Sequence, residues 1–200
     1  MKKKLKFDNS KKAWMVRFLI FLILLYVCDI RLRTVRYTFE SPKVDAPVKV
    51  ALLTDLHGSW YGKEQGELIK AIDKEAPDAV LLGGDIFDDK VSYRESEETL
   101  RILSRKYKCY YVTGNHEFWS EDIENILNIV RSCGVTVLRG DVDTLEIRGQ
   151  YMDICGVDDP DGYGYGADAK SILQQLDSVS KQCDAAHYSI LLSHRPEYFE

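Results

Sequence analysis

Two hundred residues, 45% apolar and 30% charged, suffice for one globular domain with its own core and exclude a disordered chain. The net charge of −5 hides a division: the first 36 residues hold ten Lys or Arg against Asp8 and Asp29, which leaves the body at −13. An acidic body argues against a nucleic-acid backbone as principal partner, because neutralising phosphates requires clustered Lys and Arg.

The chain opens on a basic leader, residues 1–30. Lys2, Lys3, Lys4, Lys6, Lys11 and Lys12 precede Ala13 to Val16, and after Arg17 comes the unbroken apolar stretch Phe18 to Cys28. Counted from Ala13, with Arg17 snorkelling to the headgroups, the stretch approaches the ~20 residues of a membrane span. The reading is an uncleaved transmembrane signal anchor. A cleaved signal peptide is less favoured because Asp29, Arg31 and Arg33 follow the apolar run and no small-x-small site does. An interfacial helix is the third alternative. Lys and Arg are more numerous before Phe18 than after Cys28, so the positive-inside rule expects a cell-membrane protein, single-pass, with its domain extracytoplasmic. The cysteines Cys28, Cys109, Cys133, Cys155 and Cys183 show no metal spacing, and those in strand-like runs read as buried thiols.

Residues 31–47, with Pro42 and Pro47, form a polar connector, and the domain occupies 48–200. Val48 to Thr54 reads as a first strand. Helical spacing of Leu68, Ile69 and Ile72 predicts a helix over Gln65 to Glu75, followed by a strand at Ala79 to Gly83. A second helix over Arg94 to Tyr107 leads to a strand at Cys109 to Thr113. Ser120 is the expected N-cap of a third helix ending at Ser132. Beyond it, Val135 to Leu138, Thr144 to Arg148 and Tyr151 to Val157 suggest antiparallel strands. The Gly- and Asp-rich loop Asp158 to Gly166, a helix near Asp168 to Lys181 and a strand at Tyr188 to Ser193 complete the pattern, which implies a layered α/β sandwich.

Each of the three early strands ends in polar ligands: Asp55-Leu56-His57, Gly84-Asp85-Ile86-Phe87-Asp88 and Gly114-Asn115-His116-Glu117. Carboxyl ends of parallel strands converge on the crevice where α/β proteins bind ligands. Asp55 and His57, two apart at an extended strand end, can face one cation. Asp85 follows a Gly-Gly pair that permits close approach, and its two oxygens suit a bridging ligand. Asp88 and Asp89 read better as loop caps than as ligands. Asn115 can ligate through its amide oxygen while His116 handles protons, with Glu117 orienting the His116 ring. His194 stands at the end of the last strand, and His187, before that strand, reads as structural. A bland reading fits any one tetrapeptide but not the ordered set.

In combination, DLHG, GGDIFDD, GNHE and SHRPE resemble the calcineurin-like metallophosphoesterases, and with GVDDP their membrane-anchored bacterial branch. The resemblance spans Val48 to Glu200 and implies a four-layer α/β/β/α sandwich. It implies two divalent transition-metal ions, Mn, Fe or Zn: Asp55 and His57 on the first, Asp85 between them, Asn115 and His194 on the second, with His116 as catalytic histidine. The implied reaction is attack of a metal-activated hydroxide on a phosphomonoester, phosphodiester or pyrophosphate, which the anchor would make a lipid-linked substrate at the membrane. The family's closing Gly-His-x-His motif is absent, so the sequence reads as truncated at its C-terminus. The alternative is a tethered scaffold that retains the fold without turnover. Trp60, Tyr61, Tyr163 and Tyr165 are candidates for contact with a base, sugar or lipid.

Overall fold

The computed structural model describes residues 9–27, 32–163, 170–195 and 197. The chain divides into two compact units, Met1–Val35 and Arg36–Glu200.

In the first unit, α1 (Asn9–Val27) is a 19-residue helix, about 28 Å long at 1.5 Å per residue. Among the described residues no helix is long and apolar enough to cross a membrane. Lys11, Lys12 and Arg17 fall within α1, so the uninterrupted apolar part begins only at Phe18. Cys28 lies outside the described residues.

The second unit contains two sheets. In the first, β1 (Val50–Leu53), β2 (Ala79–Gly83), β3 (Lys108–Val112) and β4 (Thr136–Val137) run parallel in that order. The crossovers are α2 (Gly66–Glu75), α3 (Arg94–Ser104), and the pair α4 (Asn115–Trp119) and α5 (Ile123–Ser132). In the second sheet, β5 (Asp141–Ile147) pairs antiparallel with β6 (Gln150–Gly156), which pairs parallel with β7 (Tyr188–Leu192). α6 (Ile172–Gln182) precedes β7, with Ser171 as N-cap.

Strand alternation builds the layers. Val80, Leu82, Cys109 and Tyr111 point to one side of the first sheet, where Leu68 and Ile72 of α2, Leu100 and Leu103 of α3, and Ile126 and Val130 of α5 cover them. Ala79, Leu81, Tyr110 and Val112 point to the other side and meet Ile154 and Leu192 of the second sheet. Cys155 and Val157 turn away from that contact toward Val179, Ile172 and Leu176 of α6. Three cores thus separate four layers, helix, sheet, sheet, helix, in a mixed α/β fold.

Two sequence expectations are corrected. The strand near Val135 is parallel, because it enters the first sheet beside β3. Ser120 is not an N-cap; it closes α4, and Asp122 precedes α5. The apolar periodicity of Ile123 onward could not reveal that Asn115 to Trp119 had already made one helical turn. The connector is pinned to the domain: the Arg36 guanidinium donates to both Glu75 oxygens at 2.5 and 2.8 Å, and the Gln150 amide donates to Ala46 O at 2.7 Å while accepting from Asp45 N.

Candidate metal centre

The register of the first sheet carries its polar strand ends to one edge: Leu53 pairs with Leu82, and Gly83 with Val112. Beyond the strands the backbones stay joined. Asp55 N donates to Gly84 O at 3.1 Å, His57 N to Asp85 O at 2.9 Å, and Gly58 N to Ile86 O at 3.1 Å. Asp55, His57 and Asp85 have φ of 55°, 47° and 52°, the left-handed region that non-glycine residues rarely enter. The expectation that Asp55 and His57 lie on an extended strand end is therefore corrected: both have left-handed backbone, and His57 begins a turn. Such conformations persist only where the surroundings enforce them, and they concentrate at functional sites.

The loop that carries Asp85 is held in turn by Glu117, fully buried. One oxygen accepts from Asp85 N (3.0 Å) and Gly114 N (2.8 Å), the other from Ile86 N (2.9 Å) and Phe87 N (3.0 Å). The role expected for it, orienting His116, is not what the structure shows. Burial pushes the Glu117 carboxyl up, opposed by these N–H donors, which favour the anion. The loop after β2 and the turn before α4 are consequently one clamped unit. They touch so closely that a Cβ on Gly84 would lie 2.7 Å from His194 Nδ1, and one on Gly114 would strike the Asp85 carboxylate.

Within this frame three imidazoles converge on Asp85, which is 3% exposed. His194 Nε2 lies 3.4 Å from Asp85 Oδ2, His57 Nε2 3.8 Å and His116 Nε2 4.0 Å. Each Nδ1 is held by an oxygen acceptor: His194 by Gly83 O at 3.0 Å, His57 by Asp88 Oδ2 at 3.1 Å, and His116 by Asp89 Oδ1 at 2.8 Å. A carbonyl or carboxylate at Nδ1 holds a proton on that nitrogen and turns Nε2 inward, where it can ligate a metal once deprotonated or donate while protonated. Asp88 and Asp89, which the sequence favours as loop caps over ligands, face two of these rings. Asp88 does accept from Lys90 N at 2.8 Å, yet its other oxygen orients His57. The alternation of carboxylates around Gly-Asp was the available signal, but nothing in it indicates which ring each would reach.

Two donor groups share Asp85: Asp55, Asp85 and His194 form one, and His57, Asp85 and His116 the other. A third, Asp88, Asp89 and His116, adjoins them. Asn115 is buried at the start of α4, next to His116 in sequence. Asp55, His57, Asp85, His116 and His194 are thus on one edge, although the grouping sets Asp55 with His194 and His57 with His116. Burial pushes the Asp85 carboxyl up, but hydrogen bonds from His194 and from His116 N outweigh it and hold it below the carboxylate range. Burial pulls His194 down, yet Asp85 raises it further, to about 9. Imidazole nitrogen and carboxylate oxygen around a buried shared carboxylate fit a borderline divalent metal.

His187, at the opposite end of β7, bonds Asp153 Oδ1 at 2.9 Å and stacks on Tyr151, a structural role. Trp119 lies 4.8 Å from the His116 ring and donates to Asp161 Oδ2; Trp60 and Tyr163 are exposed. Tyr61 packs against the first core instead. Tyr165 lies outside the described residues.

Residues 48–199 match the model of the calcineurin-like phosphoesterases. An uncharacterized metallophosphoesterase of Helicobacter pylori is 30% identical over 159 residues, covering 78% of this chain and 40% of that protein. A transmembrane protein with metallophosphoesterase domain from Bos taurus is 28% identical over 163 residues, covering 74% and 35%. Among solved structures, the Haemophilus influenzae NAD nucleotidase is 18% identical with a TM-score of 0.49, covering 76% of this chain and 35% of that one. The chain spans about two fifths of the length of the first two Helicobacter pylori relatives. From the match over three quarters of its length, the chain belongs to the calcineurin-like phosphoesterase family.

Proposed function

We propose that the chain hydrolyses a phosphomonoester, phosphodiester or pyrophosphate with two divalent transition-metal ions, Mn, Fe or Zn, held around Asp85. The observation that carries this reading is the convergence of three Nε2 atoms on Asp85 Oδ2, each ring fixed from behind by an oxygen acceptor. Asp55, His57, Asp85, Asn115 and His194 would hold the ions, which supply Lewis acidity and a water of lowered pKa. His116, whose Nδ1 bonds Asp89, would pass a proton to the leaving oxygen. Asp85, accepting from His116 N at 3.0 Å, keeps that histidine in register with the ligands.

The basic leader and the apolar Phe18 to Cys28 stretch support a membrane-attached protein with an extracytoplasmic domain and a lipid-linked substrate. Protease protection of the intact protein in vesicles tests the topology. For the chemistry, the Mn-loaded chain is expected to cleave bis-p-nitrophenyl phosphate or p-nitrophenyl phosphate and to lose that cleavage on chelation. Equal rates with and without metal would refute the reading.

A further inference from the structure

One pair of thiols lies outside the metal centre and has no part in the chemistry above. Cys155 sits on β6, on the face turned toward α6, and Cys183 follows the last residue of α6. Their sulfurs are 3.3 Å apart. Cys109 and Cys133 are placed differently: their sulfurs meet Tyr107 O at 3.4 Å and Glu97 O at 3.9 Å.

We propose that Cys155 and Cys183 are an oxidation site that closes to a disulfide and staples α6 to the second sheet. A disulfide needs sulfurs ~2.05 Å apart, so closure requires a shift of little more than an ångström. Cys183 can supply it, because its backbone has left the helix (φ −68°, ψ 138°) and its side chain is half-buried. Cys155 is 1% exposed, and burial followed by the neighbouring Cys183 pushes its thiol up to about 12. Cys183 is accordingly the sulfur that an oxidant meets first.

With glutathione disulfide as oxidant, the Cys183 thiolate attacks one sulfur and expels a glutathione thiolate. The Cys155 thiol then gives up its proton and attacks Cys183 Sγ, expelling the second glutathione. Two protein thiols are oxidised and one glutathione disulfide is reduced to two glutathiones. The bridge would span 28 positions. Within that span, Asp158 N donates to Gln175 Oε1 of α6, and Asp158 Oδ1 accepts from Thr113, the residue before Gly114. Holding α6 therefore also holds the segment that braces the turn before the metal centre.

The test treats the full folded chain with glutathione disulfide, alkylates remaining thiols and maps the peptides by mass spectrometry. The expected result is a Cys155–Cys183 cross-linked peptide and an upward shift in melting temperature that dithiothreitol reverses. Cys183→Ser, a change at a half-buried helix end, should show neither. Full alkylation of both cysteines, a persisting glutathione adduct on Cys183, a cross-link to Cys109 or Cys133, or an unshifted melting temperature would each overturn the proposal.

Discussion

Replacing Glu117 with Gln keeps the shape of the side chain and removes half of its acceptors. Four backbone N–H groups, from Asp85, Ile86, Phe87 and Gly114, converge on the two carboxylate oxygens. The Gln amide can receive only two of them, and its NH2 faces the other two donors. Losing two hydrogen bonds to a charged acceptor costs about 3–6 kcal/mol. Part is returned because the neutral amide escapes the burial that pushes the Glu117 carboxyl up, so a net loss of about 3 kcal/mol is expected. For a domain of this size that lowers Tm by roughly 6–12 °C. The loss should also reach the metal centre, since Asp85 N is one of the abandoned donors. The assay is thermal and urea unfolding beside Mn titration, with the exposed Glu124→Gln as control. A Glu117→Gln protein within about 2 °C of wild type, binding Mn unchanged, would refute the clamp.

Gly114→Ala should weaken Mn binding at least tenfold, about 1.4 kcal/mol, because a Cβ there collides with the Asp85 carboxylate; calorimetric titration with unaltered Kd would contradict the packing. In the metal-free protein His194 is raised to about 9 by Asp85 against the effect of burial. The stability from that pair is fully present below the ordinary histidine value and is lost as pH rises through 9, whereas Mn must displace the same proton and binds more tightly across that range. Proton release measured on Mn addition should be abolished in His194→Ala, and unchanged release would exclude His194 as its source. Asp153 accepts from Thr144, His187 and Asp184 N. These bonds overcome burial and hold its carboxyl below the usual value. Asp153→Asn should therefore destabilise the fold near neutral pH, with the difference from wild type shrinking as acid protonates Asp153; a gap independent of pH would argue against it.

The strand ends were legible because their signals are local. The second strand is Ala79–Gly83 as read, an apolar run buried on both faces, and the motifs after β1, β2 and β3 do share an edge. Legibility failed where the chain reverses or where one group finds many distant donors. Left-handed backbone at Asp55, His57 and Asp85 is invisible to strand periodicity, since it is imposed by the neighbouring loop. Glu117 looked like a partner for the adjacent His116, but burial sends its carboxylate to amides about thirty positions away, and His116 finds Asp89 instead. The parallel placement of β4 depends on a pairing with β3 that a two-residue strand does not advertise.

The central claim, that Asp85 bridges two metal ions, is tested most directly by Mn stoichiometry in the purified chain and in its Asp85→Asn variant, measured at saturating Mn with folding checked in parallel. The account predicts two Mn per wild-type chain and loss of both in a folded Asp85→Asn protein. Two Mn retained without the Asp85 carboxylate would contradict it.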